Sequence, residues 1–412
     1  MSPEERRAFG ARVAQLRKSR GMRQDQLAAA ISRTASWVSQ VERGVQPVVR
    51  LDVLQLLANG LGVSVQTLRP DAPPPAASPP AASDQPNDLD LARLSLSGHP
   101  ALDALLATQD RAVAHDPAEL AGTVERLWQL THTTRFAELS SAIADALPRL
   151  ERAARTADAG DRAEIHLLLS QAYQALAAAF VRQDEADAAW VAADRAIRAA
   201  EQSGQPLHVF AGTFRMAHAF VRLQRLDQAE HVAKMAVAAL RTHSSTSRPS
   251  PETLSVLGSL HLVLALAAAR GGRREQARRE IASARDIAAQ LGEDRNDFNL
   301  EFGPTNVEIQ AVSTAVELGD AGEALELGHR IDAGRLSPER RSRLLIDLGR
   351  AHAQRRNLGE ALDCLLRAEE VAPESVRNHV AARATIRELI LIAGRGAPPD
   401  LVKLAKRANA TG

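Results

Sequence analysis

The sequence predicts an all-α protein: a small N-terminal helical module followed by a long array of helical hairpins. Alanine and leucine, both strong helix formers, dominate a composition that is 45% hydrophobic. Aromatic residues make up only 3%, and the residue types that strands favour are sparse. From about residue 99 onward, amphipathic stretches of roughly 12–20 residues alternate with turn signals. Arg270-Gly271-Gly272-Arg273 and Leu318-Gly319-Asp320 are two of these.

In the N-terminal module, residues 24–44 read QDQLAAAISRTASWVSQVERG. Gln24 opens a helix with Leu27 and Ile31 on one face and the small Ala28 where a second helix crosses. A turn at Ser32–Thr34 follows, then a helix with Val38 and Val41 inward, and Leu51, Leu54, Leu57 and Leu61 add a further apolar stripe. The module is basic. Residues 1–70 carry eleven Arg/Lys and five Asp/Glu, whereas residues 71–412 carry 40 and 45, so a polyanion partner is expected for the small module alone.

Three motifs carry a resemblance: LRKSRGMRQDQLA, SWVSQVERG and LANGLGVSVQTL. Over about residues 6–69 the chain resembles the helix-turn-helix of the Cro/xenobiotic-response-element regulator family, although Ser32 stands where that family's turn usually holds glycine. The resemblance implies that the second helix lies in the major groove of double-stranded DNA with Ala35, Ser36, Ser39 and Gln40 at base edges. Gln40 suits a bidentate contact to adenine and Ala35 a thymine methyl. Gln24, at the first helix's N-terminus, is expected to meet a phosphate. Arg23, Arg33, Arg43 and Arg50 are expected to neutralise phosphates, and Trp37 to pack between helices. One recognition helix reads few base pairs, so a homodimer is expected.

Residues 71–88, DAPPPAASPPAASDQPND, contain no large apolar side chain and cannot bury a core. An extended, proline-rich linker is expected over 71–98, between a DNA-binding domain at 1–70 and a repeat domain at 99–412 that senses a ligand and dimerises.

The long region repeats itself. Leu348, Gly349, His352, Ala361, Ala368 and Pro373 fall at the signature places of the tetratricopeptide repeat, which the segment 348–373 resembles without a gap. The same register recurs at Leu176/Ala177/Phe180/Ala189/Ala196, Met216/Ala217/Phe220/Ala229/Ala236, Leu264/Ala265/Ala268/Ala277/Ala284 and Ala311/Val312/Ala315/Ala324/Ile331. Ile331 departs from the pattern. The copies are spaced 40, 48, 47 and 37 residues, longer than the usual 34, so helices or turns are lengthened. Two further helices before Ala157 and two after Pro373 are expected to cap the stack.

The resemblance implies a concave face lined by the first helix of each repeat. The positions that point there hold Gln171, Gln174 and Arg182; Arg215, His218 and Arg222; Asn306, Gln310 and Ser313; and Arg343, Asp347 and Arg350. Amides clamp a peptide backbone and arginines match carboxylate or phosphate, so a peptide or small anionic ligand is expected. The segment 298–306, FNLEFGPTN, breaks the periodicity and resembles a signature of actinobacterial regulators that join this helix-turn-helix to such repeats. The segment puts Phe302 beside the groove, in the expected ligand site, and by analogy with peptide-pheromone-sensing regulators built on such repeats Asn306 is expected to contact a peptide backbone. The competing reading is a protein-binding scaffold held on DNA by its basic module. An enclosed groove with convergent polar groups favours a sensor, and an open charged groove favours a scaffold.

No enzyme, cofactor or metal is expected. The chain has no P-loop, no GxGxxG after a strand, and no metal-ligand spacing among His115, His132 and His243. The lone Cys364 reads as a small core residue. A start without an apolar h-region, and no stretch approaching 18 uncharged apolar residues, lead to an expected cytoplasmic location without membrane contact.

Overall fold

The computed structural model describes residues 3–31, 33–46, 48, 51–61, 63, 65–68, 88–98, 116–244 and 249–410. Ser32, Arg50 and the proline-rich residues 71–87 lie outside the described residues. All the regular elements described are helices, apart from one isolated antiparallel bridge between Arg295 and Phe302.

The N-terminal module comprises α1 (Pro3–Ser19), α2 (Gln24–Ala30), α3 (Ala35–Glu42), α4 (Leu51–Leu61) and α5 (Val65–Leu68). Its core is Phe9, Val13, Leu27, Ala28, Ile31, Val38, Val41, Leu54, Leu57, Leu61 and Leu68, as the apolar periodicity requires. Gly10 lets α1 cross close to the end of α3, because a Cβ there would collide with the Val41 and Glu42 carbonyls.

The expected linker ends early. Residues Asp90–Ser97 form α6, which belongs to the body. Leu89, Ala92 and Leu96 are buried in the body's first core cluster, and the Ala92 amide donates to Ser140 Oγ at 3.1 Å. The reason is helical spacing: these three apolar residues share one face, unlike the run before them.

The body then forms one hairpin, α7 (Pro117–His132) with α8 (Phe136–Thr156), before five more. These are α9 (Arg162–Gln183) with α10 (Ala186–Ser203), α11 (Pro206–Arg222) with α12 (Leu226–Ser244), and α13 (Pro251–Arg270) with α14 (Arg274–Leu291). The last two are α15 (Pro304–Leu318) with α16 (Ala321–His329), and α17 (Pro338–Gln354) with α18 (Leu358–Val371). Proline opens many of the first helices, where its missing N–H costs nothing.

Within each hairpin the turn is built the same way. The residue two before the second helix is left-handed: Thr134, Asp184, Gln224, Gly272, Gly319 and Arg356. The amide after it bonds back to the carbonyl of Leu130, Phe180, Phe220, Ala268, Ala315 or His352. This bond closes the first helix in the manner of a Schellman cap. The recurrent alanines of the second helices are buried, including Ala189, Ala196, Ala229, Ala277, Ala284, Ala361 and Ala368. Ile331 is tolerated because α16 stops at His329, so no helix crossing forms there.

Three helices, not two, follow Pro373: α19 (Pro373–Asn378), α20 (Val380–Ala393) and α21 (Pro399–Arg407). His379 takes an extended conformation and separates the first two. One stretch does approach membrane-spanning length: helix α13 is long and apolar enough to cross a membrane, but 89% of its apolar stretch is buried inside the fold, as a core helix is. Cys364 is buried, and burial pushes its thiol up to about 11.

Candidate DNA-reading face and effector cavity

Thr34 sets the start of α3 by accepting a hydrogen bond from the Trp37 amide at 3.2 Å. At helical pitch Val38 and Val41 point into the core, which leaves Ala35, Ser36, Ser39 and Gln40 on the opposite side. Ala35 and Ser36 are exposed, and Ser39 and Gln40 are half-buried. Arg33 lies 5.8 Å from the Trp37 ring, and the half-buried Trp37 packs against the core as expected. Arg23 is exposed but turns toward Asp25, at 3.0 Å, and Arg43 Nε donates to the Ser39 carbonyl. Gln24 is drawn inward: its amide donates to Glu42 at 2.7 Å.

In the body, the first helices of the hairpins surround a cavity of about 200 Å³. Its lining side chains are buried or half-buried, except for the more exposed Arg343. Six arginines face it: Arg182, Arg215, Arg222, Arg270, Arg343 and Arg350. Four carboxylates do so as well: Glu301, Glu317, Glu339 and Asp347. Arg350 bonds both Glu317 and Asp347 at 3.0 Å, Arg182 pairs with Glu339 at 2.8 Å, and Arg270 lies 3.7 Å from Glu317. Burial would raise the Glu317 carboxyl, yet Arg350 and Arg270 hold it below the usual range.

Arg215 is fixed differently. It donates to the carbonyls of Asn299 at 2.6 Å and Phe298 at 3.4 Å, and it packs against Trp128 and Phe214. Its Nε has no hydrogen-bond partner among the described residues. Burial, with Arg182 nearby, pushes the guanidinium down to about 9. Burial and Arg270 push Arg222 down to about 10. His218 and His379 are driven well below the histidine range, first by burial and then by the surrounding arginines, so both are neutral hydrogen-bonding groups.

The loop before α15 forms part of the wall. Phe298, Asn299 and Glu301 are all left-handed there, which costs of order 1–3 kcal/mol each. The loop is over-determined by Arg295–Asp297, Ser255–Asp297 at 2.6 Å, His132–Asn299 at 2.9 Å, and Arg340 donating to the Glu301 carbonyl at 3.0 Å. His132, Glu301 and Glu339 also converge within 4.8 Å of one another. Their atoms are already engaged by Asn299, Arg340 and Arg182 respectively.

Residues 8–71 match the family described as a helix-turn-helix domain. The N-terminal module is a helix-turn-helix domain. No curated protein matches the sequence. The chain is also similar to a solved structure, Bacillus thuringiensis PlcR in complex with the peptide PapR7 and DNA. That likeness has 14% identity over 85% of this chain and 98% of the other, with a TM-score of 0.38, too distant to carry an argument.

The helix-turn-helix domain gives the chain a DNA-binding module at its N-terminus. In the body, Arg215, His218, Arg222, Asn306, Gln310, Arg343, Asp347 and Arg350 come together around one cavity, with Arg182 and Ser313. Gln171, Gln174 and Phe302 do not line it. Gln174 is buried and donates to Ser170 and to the His208 carbonyl, because α11 overlies that part of α9. Phe302 is fully buried against Gly258, where an added Cβ would overlap its ring. Sequence reasoning missed Ser259, Leu262, Leu266 and Arg270 of α13, and Glu317 of α15. The repeat register itself could have found them, since they occupy the same positions as the residues it did select. Glu339 and His379 carry no such signal, because only the closure of the stack brings them in.

Proposed function

We propose that this DNA-binding protein is a ligand-responsive transcription regulator: α3 reads an operator, and the body binds a peptide or small anionic effector and joins two copies. The observation that carries the reading is a recessed cavity whose convergent polar groups have not all been used up internally. Among the described residues, Ser259 Oγ and Arg215 Nε line it without a hydrogen-bond partner. Convergent polar groups around a compact cavity favour a sensor over a scaffold.

Helix α20 supplies a route between body and head. Its first turn lines the cavity at Ala381, and Leu391 near its other end packs against the core of the helix-turn-helix domain. An effector that alters α20 therefore acts on the head within one chain, in addition to any rearrangement of a dimer.

The test is operator binding by the purified full chain, on fragments selected from genomic DNA, with and without fractionated cell extract. The expected result is a dimer by light scattering and at least a tenfold change in operator affinity with one fraction. Operator affinity that no fraction alters would reject the sensor reading, and a monomer both free and on DNA would reject the dimer.

A further inference from the structure

The cavity's charge and size define its ligand more narrowly, resting on the reading of the body as a sensor. We infer that the effector is a small dianionic acid, with two anionic groups at opposite ends of a short apolar middle, rather than a peptide of several residues.

Charge comes first. The wall holds six arginines against four carboxylates, an excess of two positive charges. Each of those carboxylates lies within salt-bridge distance of an arginine. Among the described residues, Arg215, Arg222 and Arg343 have no carboxylate within salt-bridge distance, although Glu301 acts on Arg215 and Asp184 and Glu317 act on Arg222 from farther away. Arg215 and Arg222 lie deep, where an unpaired cation is costly and an incoming anion is correspondingly favoured. Both are shifted downward, first by burial and then by neighbouring arginines.

The arrangement along the helices fixes the shape. Arg215 and Arg222 sit seven residues apart on α11, about 10 Å along the axis, and on the same face. Helix α13 runs Ser259, Leu262, Leu266, Arg270 along the cavity: polar at each end and apolar between. Ile346 of α17 adds to the apolar middle. One end offers Arg215 with the unpartnered Ser259 hydroxyl, and the other offers Arg222. Arg343 acts electrostatically on Arg222, as well as on His218 and His379, so it belongs with the second end. Neutral imidazoles in these positions can donate to an anion without adding charge.

Size completes the argument. At about 200 Å³ the cavity is smaller than the roughly 300–1,000 Å³ of a drug-sized ligand site, which selects a compact ligand. That is a short dicarboxylate or a phosphorylated small acid. The two share the chemistry of bidentate guanidinium recognition.

The test is calorimetry and thermal shift on the full chain at constant ionic strength. The probes are succinate, glutarate, 3-phosphoglycerate, inorganic phosphate, butyrate, succinamide and a neutral tetrapeptide. The expected result is binding by at least one two-headed dianion, at least tenfold tighter than butyrate, succinamide or the tetrapeptide. Preference for the dicarboxylates or for phosphoglycerate identifies which head group the site takes. Arg343→Gln, and separately Arg222→Gln, should weaken that binding at least tenfold, with the helical circular dichroism unchanged. Failure of every two-headed dianion to bind, or equal binding by butyrate, succinamide or the peptide, overturns the inference. Operator binding is measured in parallel. A peptide fraction that alone changes operator affinity rejects the dianion but keeps the sensor. A dianion that binds without changing operator affinity keeps the ligand site and rejects the sensor.

Discussion

Arg17 and Glu42 meet through two hydrogen bonds, of 2.6 and 3.0 Å, that tie the end of α1 to the end of the recognition helix. Both side chains are less than a tenth exposed. Arg17 also donates to the Met22 carbonyl at 2.7 Å and Gln24 to Glu42 at 2.7 Å, so one carboxylate organises α1, α2 and α3. Removing it leaves a buried, unpaired guanidinium. Glu42→Ala is expected to destabilise the helix-turn-helix domain by about 3 kcal/mol, read from hydrogen exchange across α1–α3.

The same pair sets a pH dependence. Burial alone would raise the Glu42 carboxyl, but the bonds from Arg17 and Gln24 outweigh it and hold it below its ordinary value of 4.5. A carboxyl depressed on folding stabilises at pH values above its unfolded value, and that stability is lost as pH falls through the folded one. Thermal melts between neutral pH and pH 3 should therefore show the domain's stability falling on acidification, with a smaller fall in Glu42→Gln.

Gln40 presents its side chain on the face of α3 opposite Val38 and Val41, without a side-chain hydrogen bond among the described residues. Gln40→Ala should cost roughly 1–3 kcal/mol on the specific operator and leave random-sequence affinity nearly unchanged. Equal losses on both DNAs would remove it from base readout.

The basic charge of the N-terminal module makes DNA affinity a function of salt. For a dimer neutralising several phosphates, anisotropy titrations should give a log–log slope of about −4 to −8. A flat dependence would contradict DNA binding through this module.

Gly258 and Gln224 should respond in opposite senses. A methyl group at Gly258 drives into the buried Phe302 ring, so Gly258→Ala should destabilise the body by about 1–3 kcal/mol. Gln224 sits at φ 59, the place where two other hairpins use glycine. Gln224→Gly should raise stability by about 1 kcal/mol. Paired thermal melts check both.

Leu391 is half-buried against the helix-turn-helix core. Leu391→Asp should increase hydrogen exchange across 51–61, while the exchange of α13 stays unchanged. Unchanged exchange in α4 would mean that α20 does not hold the head.

The sequence by itself determined the elements and most of their faces. Alanine seven residues after alanine, one register repeated five times, and a glycine or polar residue at each turn specify hairpins, because helix packing and capping are local. The same register named ten of the side chains around the cavity. It also placed Ala35, Ser36, Ser39 and Gln40 on one side of α3, since that depends only on helical pitch. What the tertiary structure decided is which of those groups remain available. Gln24 is turned to Glu42, Gln174 is covered by α11, and Phe302 fills the space that Gly258 leaves. Glu339 and His379 reach the cavity from the far end of the stack, as does the start of α20. None of this is periodic along the chain. It depends on the cumulative rotation of one hairpin on the next, which brings together side chains more than a hundred residues apart, such as Arg182 and Glu339.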